Sequence, residues 1–85
     1  MNANYEKSFG NNIRKLREQN YMTQDHLATQ LQLLGCDITR SALAKIEVGQ
    51  RHIYPDEIKK LKNILNVTYD SLFDFEIEGE KTDNL

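Results

Sequence analysis

At 85 residues the chain has room for one small domain and no more. Its single Cys excludes a disulfide framework and suits a reducing cytoplasm, and no stretch is apolar over enough length to span a membrane or to serve as a signal peptide. The net charge of −2 argues against indiscriminate coating of nucleic acid, but it is unevenly spread: residues 1–68 carry ten cations and seven acids, while from Tyr69 onward Asp70, Asp74, Glu76, Glu78, Glu80 and Asp83 face Lys81 alone.

The vocabulary is helical, with one Pro and four Gly among many Leu, Ile, Lys and Gln. Met1 to Asn4 reads as a frayed polar start. A first helix is expected from about Glu6 to Gln19, burying Phe9, Ile13 and Leu16, with Tyr5 a turn earlier. Asn20 is expected to end it in the left-handed conformation, and Met22 to plug the core. Thr23 caps a second helix with Leu27, Ala28 and Leu31 inward. Gln24 sits at its N-terminus, where backbone N–H groups attract a phosphate. Gly35 stops this helix after Leu34, and Cys36 and Asp37 turn into the next.

The third helix is the informative one. Thr39 caps it and Gly49 stops it. At roughly 100° per residue, Ala42, Leu43, Ile46 and Glu47 share one side, and Arg40, Ser41, Ala44 and Lys45 the other. The second face carries two cations, a hydroxyl and a methyl, with no acid. It suits the major groove of DNA: Arg40 and Lys45 can donate to guanine acceptors, Ser41 can bond several base edges, and Ala44 allows close approach or touches a thymine methyl. Glu47 lies on the inward side, where an unpaired carboxylate is costly. Arg17, flanking the buried stripe of the first helix, can reach it with a bidentate fork.

After the loop Gln50 to Tyr54, Pro55 opens a fourth helix with Asp56 and Glu57 in its first turn and Ile58, Leu61, Ile64 and Leu65 inward. Asn66-Val67 turns the chain, and Thr68 caps a short fifth helix through about Phe73, where Leu72 and Phe73 close the core. Residues 1–74 are expected to form the folded domain and 75–85 an acidic tail, in which Phe75 and Ile77 alternate with acids like a short strand.

Several pieces now stand in order: Thr23-Gln24 opening a helix, Ala28 within it, Ile38-Thr39-Arg40-Ser41 opening the next, then Leu43, Ile46-Glu47 and Gly49. They are flanked by Ile13-Arg14-Lys15-Leu16-Arg17 and by Leu65-Asn66-Val67-Thr68-Tyr69-Asp70-Ser71-Leu72-Phe73. Over residues 8–73 the chain resembles the Cro/phage-repressor (lambda repressor-like) helix-turn-helix family. The resemblance implies an all-α, compact five-helix domain with helices two and three as the reading head. It implies base contacts from Arg40, Ser41 and Lys45, with Ala44 close by, and backbone contacts from Gln24, Gln50 and Arg51; Thr39 is expected at a phosphate as well, with Arg14 and Lys15 as further candidates. It also implies that Gln24 can brace a side chain on the third helix, and that Arg17 pairs with Glu47 as a structural clamp. One departure is large: Gln32 to Asp37 intervene where the family leaves a single residue. Either the second helix is longer or the connection is. Tyr21 stands where many members carry Gly.

The function expected is sequence-specific binding of double-stranded DNA at a palindromic operator by a cytoplasmic homodimer that regulates transcription, repression being favoured over activation. The dimer contact is expected from Leu72, Phe73, Phe75 and Ile77, unless Phe75 folds back on its own core. No enzyme is expected and no cofactor or metal: His26 and His52 lack metal-ligand spacing, and Cys36 has no activating neighbour. Two other readings use the same fold. An antitoxin would repress its own operon and hold a protein partner through the tail, and a neighbouring toxin gene would favour it. A protein-interaction adaptor would lack the basic reading face.

Overall fold

In the computed structural model, which describes residues 3–77, the chain forms five helices: α1 (Ala3–Gln19), α2 (Gln24–Leu33), α3 (Arg40–Glu47), α4 (Pro55–Leu65) and α5 (Tyr69–Leu72). α1 starts at Ala3, earlier than Glu6, and no strand forms among the described residues, so Phe75 and Ile77 are not in one. The fraying expected at Met1 and Asn2 and the acidic stretch from Glu78 to Leu85 lie outside the described residues. No helix among the described residues is long and apolar enough to cross a membrane.

The helix starts follow from three threonines. The hydroxyls of Thr23, Thr39 and Thr68 accept hydrogen bonds from the backbone N–H groups of His26, Ala42 and Ser71 at 3.0, 3.1 and 3.0 Å. Each satisfies a donor that the first turn leaves without a partner. α4 begins differently: Pro55 supplies a preset φ, and the Glu57 carboxylate reaches back to accept from the Tyr54 N–H at 3.0 Å.

Four helix ends share one geometry. Past each of α1 to α4 a single residue turns left-handed: Tyr21 at φ 56°, Gly35 at 87°, Gly49 at 78° and Asn66 at 54°. The next residue then donates back across the last turn: Met22 N–H to the Arg17 carbonyl (3.1 Å), Cys36 to Leu31 (2.9 Å), Gln50 to Lys45 (2.8 Å) and Val67 to Lys62 (3.3 Å). These are Schellman endings. The expectation that Asn20 takes the left-handed place is corrected by one residue: Tyr21 takes it. The Asn20 amide instead donates to the carbonyls of Leu16 (2.9 Å) and Leu65 (3.3 Å), tying the end of α1 to the end of α4. Tyr21 thus has the side-chain strain of a left-handed non-Gly residue, and its ring is 95% exposed.

The long connection between α2 and α3 is mostly loop. α2 stops at Leu33, and residues 34–39 make the Schellman turn and an extended approach to α3. Cys36 and Ile38 drop into the core, and the Gln32 amide donates to the Ile38 carbonyl at 2.9 Å. Cys36 is packing material, in keeping with a thiol that has no activating neighbour.

The core gathers Phe9 and Ile13 from α1, Leu27, Ala28 and Leu31 from α2, Leu43 and Ile46 from α3, Leu61 and Leu65 from α4, and Leu72 from α5. Full burial of one such leucine is worth about 1.5–3 kcal/mol. Gly10 lets α1 lie directly on α3, since a Cβ there would overlap the Ile46 carbonyl oxygen. Gly49 does the same against the backbone of Lys7. Buried Asn12 joins α1 to α5 by donating to the carbonyls of Leu72 (2.7 Å) and Ser71 (3.1 Å). Phe73 is 42% exposed, so it does not close the core; it stacks on Phe9 at 4.9 Å. Phe75, assigned to the tail by its sequence, packs against that core, 5.9 Å from Phe9 and edge-on to Tyr5 at 5.3 Å.

Candidate nucleic-acid interface

α3 is amphipathic in the sense its sequence requires. Leu43, Ile46 and Glu47 are buried and Ala42 half-buried, while Arg40, Ser41 and Lys45 are exposed and Ala44 is half-buried between them. The outward face therefore presents two cations and a hydroxyl around a small methyl, on a helix fixed by a Thr39 cap and a Gly49 stop. Thr39 itself is exposed at the N-terminal end of that face.

The orientation of α3 is set from behind by a buried polar cluster. Arg17 donates two parallel hydrogen bonds to Glu47, Nε to Oε2 at 2.7 Å and Nη2 to Oε1 at 3.0 Å. The two side chains are 9% and 1% exposed. The third guanidinium nitrogen donates to the Met22 carbonyl at 2.8 Å, so the same arginine anchors the turn between α1 and α2. Gln24 donates from its amide to Glu47 Oε1 at 3.0 Å. The hydrogen bonds that Arg17 donates to Glu47, and then the negative charge of that carboxylate, hold the Arg17 pKa above its ordinary value against the opposing effect of burial. Three elements thus converge on one carboxylate: α1 through Arg17, the start of α2 through Gln24, and α3 through Glu47 itself.

The loop after α3 is locked in a similar way. Arg51 places Nη1 and Nη2 on the two Glu57 oxygens at 3.1 and 3.2 Å, and Nη1 also donates to the His52 carbonyl at 2.8 Å. Glu57 is buried, and its hydrogen bonds raise the Arg51 pKa. Arg51 is therefore first a brace between loop and α4. Of the five guanidinium donors, only Nε and one Nη2 hydrogen remain to meet a phosphate. Gln50 beside it is exposed.

Arg14 and Lys15 stand elsewhere. Both line a groove of about 850 Å³ with Lys7, Val48 and Phe75, between α1, the C-terminal end of α3 and the segment after α5. Arg40 and Ser41 do not border it. Arg14 also pairs with Glu18 one turn on, Nε to Oε2 at 3.3 Å. Sequence reasoning missed Gly10 and Asn12, and it placed Glu57 in the first turn of α4 without seeing that it caps the helix and takes Arg51. For Glu57 a signal existed, since an acid three residues after a helix start is a capping pattern. An Asn on the buried side of a helix was the signal for Asn12.

The helix-turn-helix family pattern matches residues 13–72. Control protein C.BamHI of Bacillus amyloliquefaciens is 32% identical over 80 residues, 93% of each chain. Among solved structures, the restriction-modification controller protein C.AhdI of Aeromonas hydrophila superposes with a TM-score of 0.70 at 32% identity, covering 84% of this chain and 94% of that one. Both relatives are named for control and neither for catalysis.

Proposed function

The chain belongs to the Cro/C1-type helix-turn-helix family, a DNA-binding regulator and not an enzyme, and on that premise we propose that it controls transcription of a restriction-modification system by inserting α3 into the major groove of an operator. Arg40 and Lys45 donate to guanine acceptors, Ser41 bonds a base edge, and Ala44 lies against a thymine methyl. Gln24, Thr39, Gln50 and the unspent donors of Arg51 hold phosphates beside α3. The observation that carries this reading is the outward face of α3. It is exposed, free of acids, and braced from behind by the buried Arg17–Glu47 pair and half-buried Gln24. A regulator that only met other proteins would have no need of that combination.

One reading helix covers only a few base pairs, so two copies related by a two-fold axis are required for a unique site, with their α3 helices about 34 Å apart. Of the four residues expected at the contact, Leu72 is fully buried and Phe75 packs on its own core, which leaves Phe73 just past α5 and half-buried Ile77, with Tyr69 of α5 beside them; Tyr69 and Phe73 are 46% and 42% exposed. Selection of bound duplexes from random DNA tests the reading. It should return a consensus with two inverted half-sites one helical turn apart, also present upstream of neighbouring restriction and methylation genes. A pool that stays random after repeated rounds would contradict it.

A further inference from the structure

Asp25 stands at the start of α2, an acid beside the first residue of the reading helix, and its Oδ1 lies 3.8 Å from Arg40 Nε. Both side chains are open to solvent, 78% and 66% exposed. As a contribution to folding, such a pair is worth little, because water and salt screen it. Its position is what matters. Arg40 is the first residue of α3, and a first-turn arginine on an exposed helix face samples many rotamers. Within its reach lie two kinds of acceptor on DNA: a base edge in the groove and a phosphate on the rim. Only the first carries sequence information.

We propose that Asp25 is a specificity-determining residue that positions Arg40 for guanine and away from the DNA backbone; this rests on the reading of Arg40 as a base contact. Two physical effects act in the same direction. A carboxylate 3.8 Å from Nε, too far for a hydrogen bond, attracts the guanidinium from its side by charge and leaves Nη1 and Nη2, the end-on pair, to meet O6 and N7 of a guanine with two parallel bonds. The same carboxylate repels phosphates at the N-terminus of α2, where helix ends otherwise attract anions. Asp25 thus weakens DNA binding of any sequence while favouring the one geometry in which Arg40 reads a base. Gln24, its neighbour, is tied to Glu47 and carries no charge, so it cannot substitute for this repulsion.

The test uses the full chain with three duplexes: the selected operator, the operator with the guanine opposite Arg40 replaced, and a scrambled sequence. Wild type, Asp25→Asn, Asp25→Glu, Arg40→Ala and the double variant Asp25→Asn/Arg40→Ala are titrated on each, after circular dichroism has shown them folded. Asp25→Asn is expected to bind scrambled DNA more tightly and to lose discrimination at the replaced guanine, each by about two- to fivefold. Asp25→Glu, which keeps the charge, is expected to retain discrimination. In the Arg40→Ala background the Asn change should no longer alter discrimination. Unchanged discrimination in Asp25→Asn would overturn the proposal, as would an equal loss in Asp25→Glu or an effect that persists without Arg40. If Arg40→Ala itself left the guanine preference intact, the base-reading role of Arg40 would fall. If it removed the preference while Asp25→Asn did nothing, only the role of Asp25 would fall.

Discussion

Replacing Arg17 by Met or Glu47 by Leu should destabilise the domain severely, and replacing both together should do far less harm. The magnitude follows from the burial. Glu47→Leu leaves a guanidinium that is 9% exposed with only the Met22 carbonyl as a partner, and Arg17→Met leaves a carboxylate that is 1% exposed with only the Gln24 amide. Stranding a buried charge in this way costs about 3–5 kcal/mol. The double variant removes both charges and retains apolar volume, so its loss should stay below either single loss, giving a coupling of at least about 3 kcal/mol. With a denaturant slope of about 1 kcal/mol/M in urea for a domain this small, each single variant should lose about 3–5 M in midpoint. The chain has no Trp, so the melts are followed by far-ultraviolet circular dichroism. The same variants also separate stability from orientation. The double variant should fold yet bind operator more weakly than wild type, because nothing then fixes the tilt of α3 against α1. Single losses that simply add in the double variant would refute the reasoning, since additivity means that the two side chains do not act on each other.

Tyr21→Gly should stabilise the domain by up to about 1 kcal/mol, because it relieves a left-handed non-Gly residue and removes only an exposed ring; a lower urea midpoint would show that the ring makes a contact of value. Gly10→Ala should cost about 1–3 kcal/mol or more, read from the same melts, since its methyl would have to push α3 off α1; an unchanged midpoint would contradict the close packing at Ile46. Cys36 should react with a thiol reagent far more slowly in the native than in the urea-unfolded protein, and full-rate labelling of the native state would refute its burial. Burial also pushes the Cys36 thiol pKa up. The stability this residue supplies is therefore complete below its ordinary pKa and is lost as the pH rises through the raised value. A Cys36→Ala variant should accordingly lose less stability than wild type on going to alkaline pH.

The sequence was most legible where a local chemical rule acts alone. Thr23, Thr39 and Thr68 mark helix starts because a hydroxyl two or three residues ahead of an orphan N–H has one obvious use. Gly35 and Gly49 mark ends for an equally local reason. The inward and outward faces of α3 could be read from periodicity alone. Legibility fell where tertiary contacts choose between two locally acceptable options. Asn20 and Tyr21 compete for the left-handed place, and the Leu65 carbonyl, 45 residues away, claims the Asn20 side chain. Phe75 sits among acids, yet it packs beside Phe9 and Tyr5, residues near the start of the chain that no local pattern pairs with it. Arg51 lies in a loop, and nothing local in the sequence shows that buried Glu57, six residues on, takes most of its fork. No pattern in the sequence makes Gly10 more than a weak helix residue until α3 is known to cross it.

The most direct test of the central claim, that α3 reads bases through its outward face, is a selection of random duplexes with Arg40→Ala beside wild type. Loss of a bidentate guanine contact should cost about 1–3 kcal/mol on the wild-type operator and should erase the preference at one base pair of each half-site, leaving the other positions readable. If the variant instead weakened on all DNA equally and returned an unchanged consensus, Arg40 would be a backbone contact and the account of α3 as the reading helix would be contradicted.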